Sequence, residues 1–368
     1  MSNVSPTYTA VAANLDTDRD KILALWKRGL THSGMPGEKF DWFYRKNPAG
    51  APATFFLYCD GEVEPVGVAA VGIRKLRIGG QAIMSGELVD FVALPEHRTL
   101  FPALFLQKEI RRLALEVNRS HALLYGLPNP KSLAVVKRVG YQLVGQMVRR
   151  ARMLRSAGYL SRYAPRWISK LIGPAIDRTR LGILVLRGFA HRSLKAQWQA
   201  LPDGRFDALW NQIATQDEAR NVLMGVRDCA FLTWRFAECP LRKYEFFTLS
   251  SADNQLVAYA ACAAEGEILH VHDFLIDSRK RSTGKALWLA LSRAAFHRGH
   301  SNISVAFLGA ESIQRDLQAV GMMKRQERPL FATISAANTP DTLPAETHDR
   351  NALLKEPHWY LTCADEDV

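Results

Sequence analysis

The sequence predicts an α/β protein in which two mixed-sheet α/β units follow one another, joined by a basic helical connector. Three observations predict it. Residues 268–276 are apolar and β-branched, 278–284 are polar and basic, and from Lys285 onward apolar residues recur at helical spacing, which reads as strand, turn and helix. The same unit occurs earlier in the chain. Set against each other without a gap, residues 90–106 and 273–289 agree at six of 17 positions (Asp90/Asp273, Phe91/Phe274, Arg98/Arg281, Ala103/Ala286, Leu104/Leu287, Leu106/Leu289), where average composition gives about one. Further echoes fall in the same order: Ala24-Leu25-Trp26 with Ala208-Leu209-Trp210, Trp42 and Pro48 with Trp234 and Pro240, and Ser132 and Gly140 with Ser312 and Gly321. A period this long marks a duplicated domain rather than a solenoid. The third observation is charge: residues 149–195 hold twelve Lys/Arg against the single acid Asp177, a net +11 out of +12 for the whole chain.

In order, residues 1–148 form the first unit. A short strand at 8–11 leads to a helix from Asp18 that turns Ile22, Leu23, Leu25 and Trp26 inward. Strands at 55–58 and 65–73 flank the Asp60-Gly61 turn. Then come a strand at 87–94, a turn at Arg98, a helix from Pro102, a strand at 123–127 and a helix ending at Gly140. The connector, 149–195, is broken by Gly158, Pro165 and Pro174 into short helices, with Trp167, Ile168, Leu171 and Ile172 giving an apolar face. Its basic amphipathic character suits an anionic lipid, a phosphorylated glycan carrier or RNA, or a solvated interdomain linker. Residues 196–335 repeat the plan: a helix at 206–213, strands at 244–249 and 256–263 about Asp253-Asn254, the central strand–turn–helix, a strand at 303–307, and a helix at 312–320 stopped by Gly321. Residues 336–368 are a tail whose segment 359–362 can return as an edge strand. Its acidic end, Asp365-Glu366-Asp367, is expected in solvent or against the connector.

With 368 residues there is ample core for two domains, and 48% hydrophobic and 23% charged residues suit a globular protein. No signal-peptide core opens the chain, and no apolar run approaches the ~20 residues of a membrane span. The five cysteines are odd in number and lack metal or CxxC spacing. A cytoplasmic protein is expected, with peripheral contact at the inner membrane face through residues 149–195 and no metal.

The turn at 281–286, Arg-Ser-Thr-Gly-Lys-Ala, sits where a helix exposes unpaired N–H groups and the positive end of its dipole. Gly284 lets backbone approach a diphosphate there. At these residues the chain resembles the GNAT superfamily of acyl-CoA N-acyltransferases, whose signature is Gln/Arg-x-x-Gly-x-Gly/Ala between a strand and the helix it opens. The order of elements matches that family in both halves. The resemblance implies an N-acyltransferase that uses acyl-CoA, acetyl-CoA first among them. It places the cofactor on Arg281, Ser282, Thr283, Gly284, Lys285 and Ala286, with strand backbone near Leu275 and Ile276 polarising the thioester carbonyl. The first copy departs from the signature: Phe101 stands at the Gly position and Pro102 lacks an N–H, which predicts a degenerate turn there.

An amine attacks a thioester only when neutral, so a base must work near neutral pH. His270 and His272 alternate on one face of the strand, and the resemblance to arylalkylamine N-acetyltransferases implies that the pair withdraws the proton through water. Glu87 occupies the corresponding place in the first copy, as base or as amine-binding group if the two halves share a cleft. Asp273, matched by Asp90, is read as structural. The Tyr that the family offers as acid to the thiolate is replaced by Val136 and Leu317. Two other readings stay open: an aminoacyl-tRNA-dependent transferase of the tandem peptidoglycan type, favoured by the basic connector, and a non-catalytic acyl-CoA-binding scaffold. The acceptor is a small-molecule amine of unassigned identity, with a phosphorylated or lipid-linked glycan as one candidate.

Overall fold

A computed structural model describes residues 6–30, 35–118, 120–156, 160, 166–216, 221–279, 282–335 and 352–367, with the backbone alone for 166–171, 190 and 352. The first half runs β1 (Tyr8–Ala12), α1 (Arg19–Gly29), α2 (Pro36–Lys39) continuing into a π-helical turn (Phe40–Tyr44), β2 (Ala53–Cys59), β3 (Gly67–Ile78), β4 (Gln81–Ala93), α3 (Leu100–Arg112), β5 (Leu123–Gly126), α4 (Leu133–Val139) and β6 (Gln142–Met153). Helix α5 (Arg166–Gly188) crosses to the second half. There follow β7 (Lys195–Gln199), α6 (Gly204–Ala214), β8 (Leu223–Gly225), α7 (Cys229–Leu232) with its own π-helical turn (Thr233–Ala237), β9 (Tyr244–Ser250), β10 (Leu256–Glu265) and β11 (Ile268–Ile276). The chain ends with α8 (Thr283–His297), β12 (Asn302–Gly309), α9 (Glu311–Ala319), β13 (Met323–Ile334) and β14 (Trp359–Leu361).

The duplication is visible in the core. Helix α1 buries Ile22, Leu23, Leu25 and Trp26, and α6 buries Phe206, Leu209, Trp210 and Ile213. Trp42 and Trp234, from the two π-helical turns, stack with centroids 5.3 Å apart. Each indole N–H donates to the other's backbone carbonyl, Trp42 Nε1 to Trp234 O at 2.7 Å and Trp234 Nε1 to Trp42 O at 3.2 Å. The repeated tryptophans thus meet at the seam between the halves and satisfy one another's buried polar groups.

The two sheets are one. The strand order is β1-β2-β3-β4-β5-β13-β6-β12-β11-β10-β9-β7. Strand β13 of the second half lies between β5 and β6, and β6 of the first half pairs β12, so each half gives its last strand to the other. On the other side β8 pairs β3, and β14 pairs both β8 and β12. The ring β3-β4-β5-β13-β6-β12-β14-β8 therefore closes on itself, and an apolar cluster including Tyr125, Met147, Leu308, Leu330 and Trp359 belongs to it.

Four expectations change. Residues 142–153 are strand, so Arg149, Arg150 and Arg152 belong to the sheet rather than to a connector. Arg150 Nε donates to Gln314 Oε1 (2.9 Å), Arg152 Nη1 to Val320 O (2.5 Å), and Arg155 Nη2 to Phe296 O (2.9 Å), so part of the basic charge is built into the second half. Pro174 does not break the connecting helix. A proline inside a helix costs about 3 kcal/mol, but Gly173, Asp177 and Leu184 are buried around it, and Asp177 Oδ1 accepts from Ser156 N and Oγ at 2.8 and 2.7 Å. In the acidic end of the tail Asp365 is buried and Glu366 and Asp367 are half-buried, and β14 is an interior strand rather than an edge. The breaks placed at Gly158 and Pro165 and the polar run 336–351 lie outside the described residues.

Candidate active site

In both halves a central strand pairs with its parallel neighbour over only three or four residues and then runs on without it. Strand β4 pairs β5 from Ser85↔Leu123 to Glu87↔Tyr125, then runs on to Ala93. A bulge falls at Asp90, whose φ is +50°, and bends the strand away. The splay opens a cavity of about 280 Å³, lined by Leu88, Asp90 and Phe91 of β4, Gln107 of α3, and Gly126 and Ser132 across the gap. Gln107 is 6% exposed, and its Oε1 is buried with no partner among the described residues. Beyond Glu87 the β5-facing edge of β4 has no strand partner, so backbone donors and acceptors are available to a ligand.

Strand β11 pairs β12 from Ile268↔Asn302 to Val271↔Val305, then runs on to Ile276. Here the gap has an occupant. β14 pairs Leu308 and Gly309 of β12 through Leu361 and Tyr360. Tyr360 OH donates to Phe274 O at 2.6 Å, and the Phe274, Phe307 and Tyr360 rings pack with centroids 5.0–5.7 Å apart. Gly309 is required for this approach: its φ is +147°, and a Cβ would lie 2.3 Å from Trp359 O.

The tail that follows β14 is clamped from both halves. Arg227, fully buried, donates Nε to Asp273 Oδ1 (3.0 Å), Nη1 to Gly225 O (2.7 Å), and Nη2 to Thr362 Oγ1 (3.1 Å) and Asp365 Oδ2 (2.5 Å). Arg74 Nε and Nη2 reach Asp365 Oδ1 at 3.0 and 2.8 Å. Arg235 holds the carbonyls of Cys363, Ala364 and Glu366. Burial alone would raise the Asp365 carboxyl, but Arg227 and Arg74 outweigh it and hold it below the ordinary range. None of these arginines comes from the connector.

The last described acid borders the open cleft. Lys39 Nζ lies 2.6 Å from Asp90 Oδ1 and 2.9 Å from Asp367 Oδ1, and Tyr44 OH donates to Asp90 Oδ2 at 2.8 Å. Burial and the neighbouring Asp367 charge push Asp90 up to about 6, against the opposing pull of Lys39. One ammonium is shared by two carboxylates, which leaves Asp90 short of compensating charge.

The residues singled out in the sequence fall at several places. Glu87 is buried next to the open cleft; burial, then Asp367, push its carboxyl well above the ordinary range. His270 and His272 are half-buried on one face of β11, ring centroids 6.2 Å apart. His270 Nε2 is 3.7 Å from Glu265, and His272 Nε2 is 3.4 Å from Arg242 Nη1. Burial and then Arg242 lower His272 to about 3, so its ring is neutral at pH 7. Arg235, which holds the tail carbonyls of Ala364 and Glu366, is in electrostatic reach of both Glu87 and His272. Leu275 is buried and Ile276 half-buried. Ser282 and Lys285 are exposed at the start of α8, with Thr283, Gly284 and Ala286 buried; Arg281 lies outside the described residues. A Cβ on Gly284 would meet Asp316 Oδ2 at 2.5 Å, so a carboxylate packs beside this glycine. Phe101, expected to obstruct the first copy, is 61% exposed, with its ring 6.0 Å from that of Tyr8. Asp273 is fully buried and accepts from Arg227, Tyr259 and Thr362, as a structural residue would. Its counterpart Asp90, read the same way in the sequence, borders a cavity instead. No sequence signal separates the two, because the difference lies in what fills each gap.

No protein-family model matches the chain, and no curated protein matches it in sequence. Solved structures do match in fold. A GCN5-related N-acetyltransferase from Anabaena variabilis superposes at TM-score 0.61 with 13% identity, over 89% of this chain and 73% of its own. A tandem GNAT protein from the clavulanic acid biosynthesis pathway gives 0.54 and 12%, over 90% of this chain and 100% of its own. Saccharomyces cerevisiae N-myristoyltransferase, solved with bound myristoyl-CoA, gives 0.54 and 12%, over 93% and 87%. Together with the duplicated splayed strands, these matches establish the architecture: the chain has the fold of a tandem GNAT protein.

Proposed function

We propose that the chain is an acyl-CoA-dependent N-acyltransferase whose acyl donor enters the N-terminal cleft between β4 and β5, with Asp90 as the base. The single observation that carries this is the contrast between the two gaps: one is open and lined by β4, while its counterpart holds β14. The fit to the donor rests on the lining. It is largely apolar, it leaves the β4 backbone free past Glu87, and the partnerless Gln107 Oε1 offers an acceptor to a donor such as an amide N–H. The side chain of the α3 N-cap residue, Thr99, makes no capping bond, which leaves the N–H groups of Leu100 and Phe101, though none from Pro102, for a diphosphate; Ser282 at the start of α8 makes no capping bond either. The cofactor assignment thereby moves from residues 281–286 to the first copy.

Bound acyl-CoA would supply a thioester. β4 backbone N–H groups would hold its carbonyl oxygen. Asp90, ionised above pH about 6, takes a proton from the substrate ammonium, so that nitrogen can form the C–N bond as the C–S bond breaks. The carboxylic acid so formed then returns that proton to the departing sulfur, a role for which neither Val136 nor Leu317 is equipped, and the second proton that the nitrogen sheds as the amide forms passes to solvent. Lys39 and Tyr44 orient Asp90, and Glu87, held toward its neutral form by burial, lies three residues before it on the same strand. The tRNA-dependent reading leans on the basic connector, and Arg150, Arg152 and Arg155 are engaged inside the fold instead.

The test is release of free CoA thiol from a panel of acyl-CoAs and amines, run across pH. Turnover should rise as pH climbs through about 6. Asp90→Asn should lower kcat by about 10²–10⁴-fold while acyl-CoA still binds. Undiminished turnover by Asp90→Asn would remove Asp90 from the mechanism. Absence of turnover with any pair would favour the scaffold reading.

A further inference from the structure

Helix α5 has two faces, and the fold uses one. Gly173, Asp177 and Leu184 are buried on the side that packs against α8. At 100° per residue, Ile172, Ala175, Thr179, Ile183 and Leu186 fall within a stripe about 80° wide on the far side. They are exposed, Ile172 and Ile183 at 49% and Leu186 at 77%, and Phe189 in the turn after the helix is 63% exposed. Isolated surface hydrophobics are ordinary; a stripe running from Ile172 to Leu186 is not. Arginine borders it on both sides. Arg178 and Arg187 are exposed and lie about 80–100° to either side of its centre. No ion pair among the described residues engages Arg178, Arg187 or Arg192. Arg180 and Arg187 also stand close enough to Arg152 to disfavour its charge, and Arg180 Nη1 is buried without a partner among the described residues.

We propose that this face of α5 docks on an anionic lipid surface, lying flat with its apolar stripe among the acyl chains and its arginines at the phosphates. Charge decides between occupants. A second copy seated face to face would bring two arginine-edged stripes together, whereas a phospholipid surface supplies the missing anions and an apolar interior at once. A helix of 23 residues spans about 35 Å, and no helix among the described residues is long and apolar enough to cross a membrane. The mode is therefore adsorption rather than insertion across the bilayer. It is independent of which cleft holds the acyl donor.

The test is flotation of the full chain with vesicles of phosphatidylcholine alone and of phosphatidylcholine mixed with phosphatidylglycerol. Binding is expected to the mixed vesicles only, falling as salt rises. Leu186→Ser should weaken it by about tenfold or more, and Arg178→Gln and Arg187→Gln by roughly fivefold each. Circular dichroism melts unchanged from wild type would show that these exposed substitutions leave the fold intact. Absence of flotation, equal flotation with both vesicles, or loss on arginine but not on Leu186 substitution (a polyanion site, such as one for RNA) would each overturn the proposal. So would a dimer in light scattering that Leu186→Ser dissociates.

Discussion

Replacing Arg227 with Met keeps much of the side-chain volume and removes the charge. In the wild type Arg227 has no exposed surface and joins Asp273, Gly225, Thr362 and Asp365. The variant leaves Asp273 with Tyr259 and Thr362, and Asp365 with Arg74. Removing one partner of a buried ion pair typically costs 3–5 kcal/mol, mostly because the stranded carboxylate stays buried. Arg227 serves two carboxylates, but each keeps other donors, so about 4 kcal/mol is the expected loss. At roughly 2–4 °C per kcal/mol, the melting temperature should drop by about 10 °C or somewhat more. Urea titration of Arg227→Met, Asp365→Asn and the double variant would measure it, with the double variant recovering part of the loss. Asp365 sits below its unfolded value, so its contribution is present above pH about 4 and lost as pH falls further. Asp365→Asn should flatten that acid limb. A loss under about 1 kcal/mol for Arg227→Met, or strictly additive singles, would refute the network as the clamp on the tail.

Gly309→Ala places a Cβ 2.3 Å from Trp359 O at a φ of +147°, and should displace β14; faster proteolysis of the tail would report it. Trp42→Phe retains the stacked ring and removes one buried donor, for an expected loss of about 1 kcal/mol, whereas Trp42→Ala should lose about 3–5 kcal/mol in the same denaturation assay. His270→Ala and His272→Ala should leave acyl transfer within about twofold, since the pair sits on the half whose gap is filled; a loss near 10³-fold would return them to the mechanism. Because His272 is held neutral in the fold, wild-type stability should decline as pH drops below the ordinary histidine value of about 6.5, and His272→Gln should decline less.

The duplication was legible because it rests on apolar periodicity: the buried stripes of α1 and α6 and the paired tryptophans repeat in sequence as they do in space. The turns were legible for a local reason too, with Gly61, Asn254, Gly140 and Gly321 all at positive φ. Strand exchange was not legible. The alternating faces of β6 and β13 fit either half equally, and periodicity says which face is buried, never which neighbour pairs. The tail misled for a related reason. Asp365-Glu366-Asp367 reads as a solvated acidic end because its partners, Arg74, Arg227, Arg235, Arg328 and Lys39, are scattered along the chain. The motif at 281–286 specifies only a helix start and says nothing of what packs around it. Asp316 over Gly284 and Tyr360 in the gap come from elements far from it.

Calorimetric titration of acetyl-CoA into the wild type, Ser132→Trp and Gly284→Glu tests the central claim most directly. Ser132 lines the open cleft, and an indole there fills part of it; Gly284 opens α8 beneath Asp316. The account predicts one site in the wild type, lost in Ser132→Trp and retained in Gly284→Glu. Binding retained in Ser132→Trp and lost in Gly284→Glu would return the cofactor to the second half and contradict it.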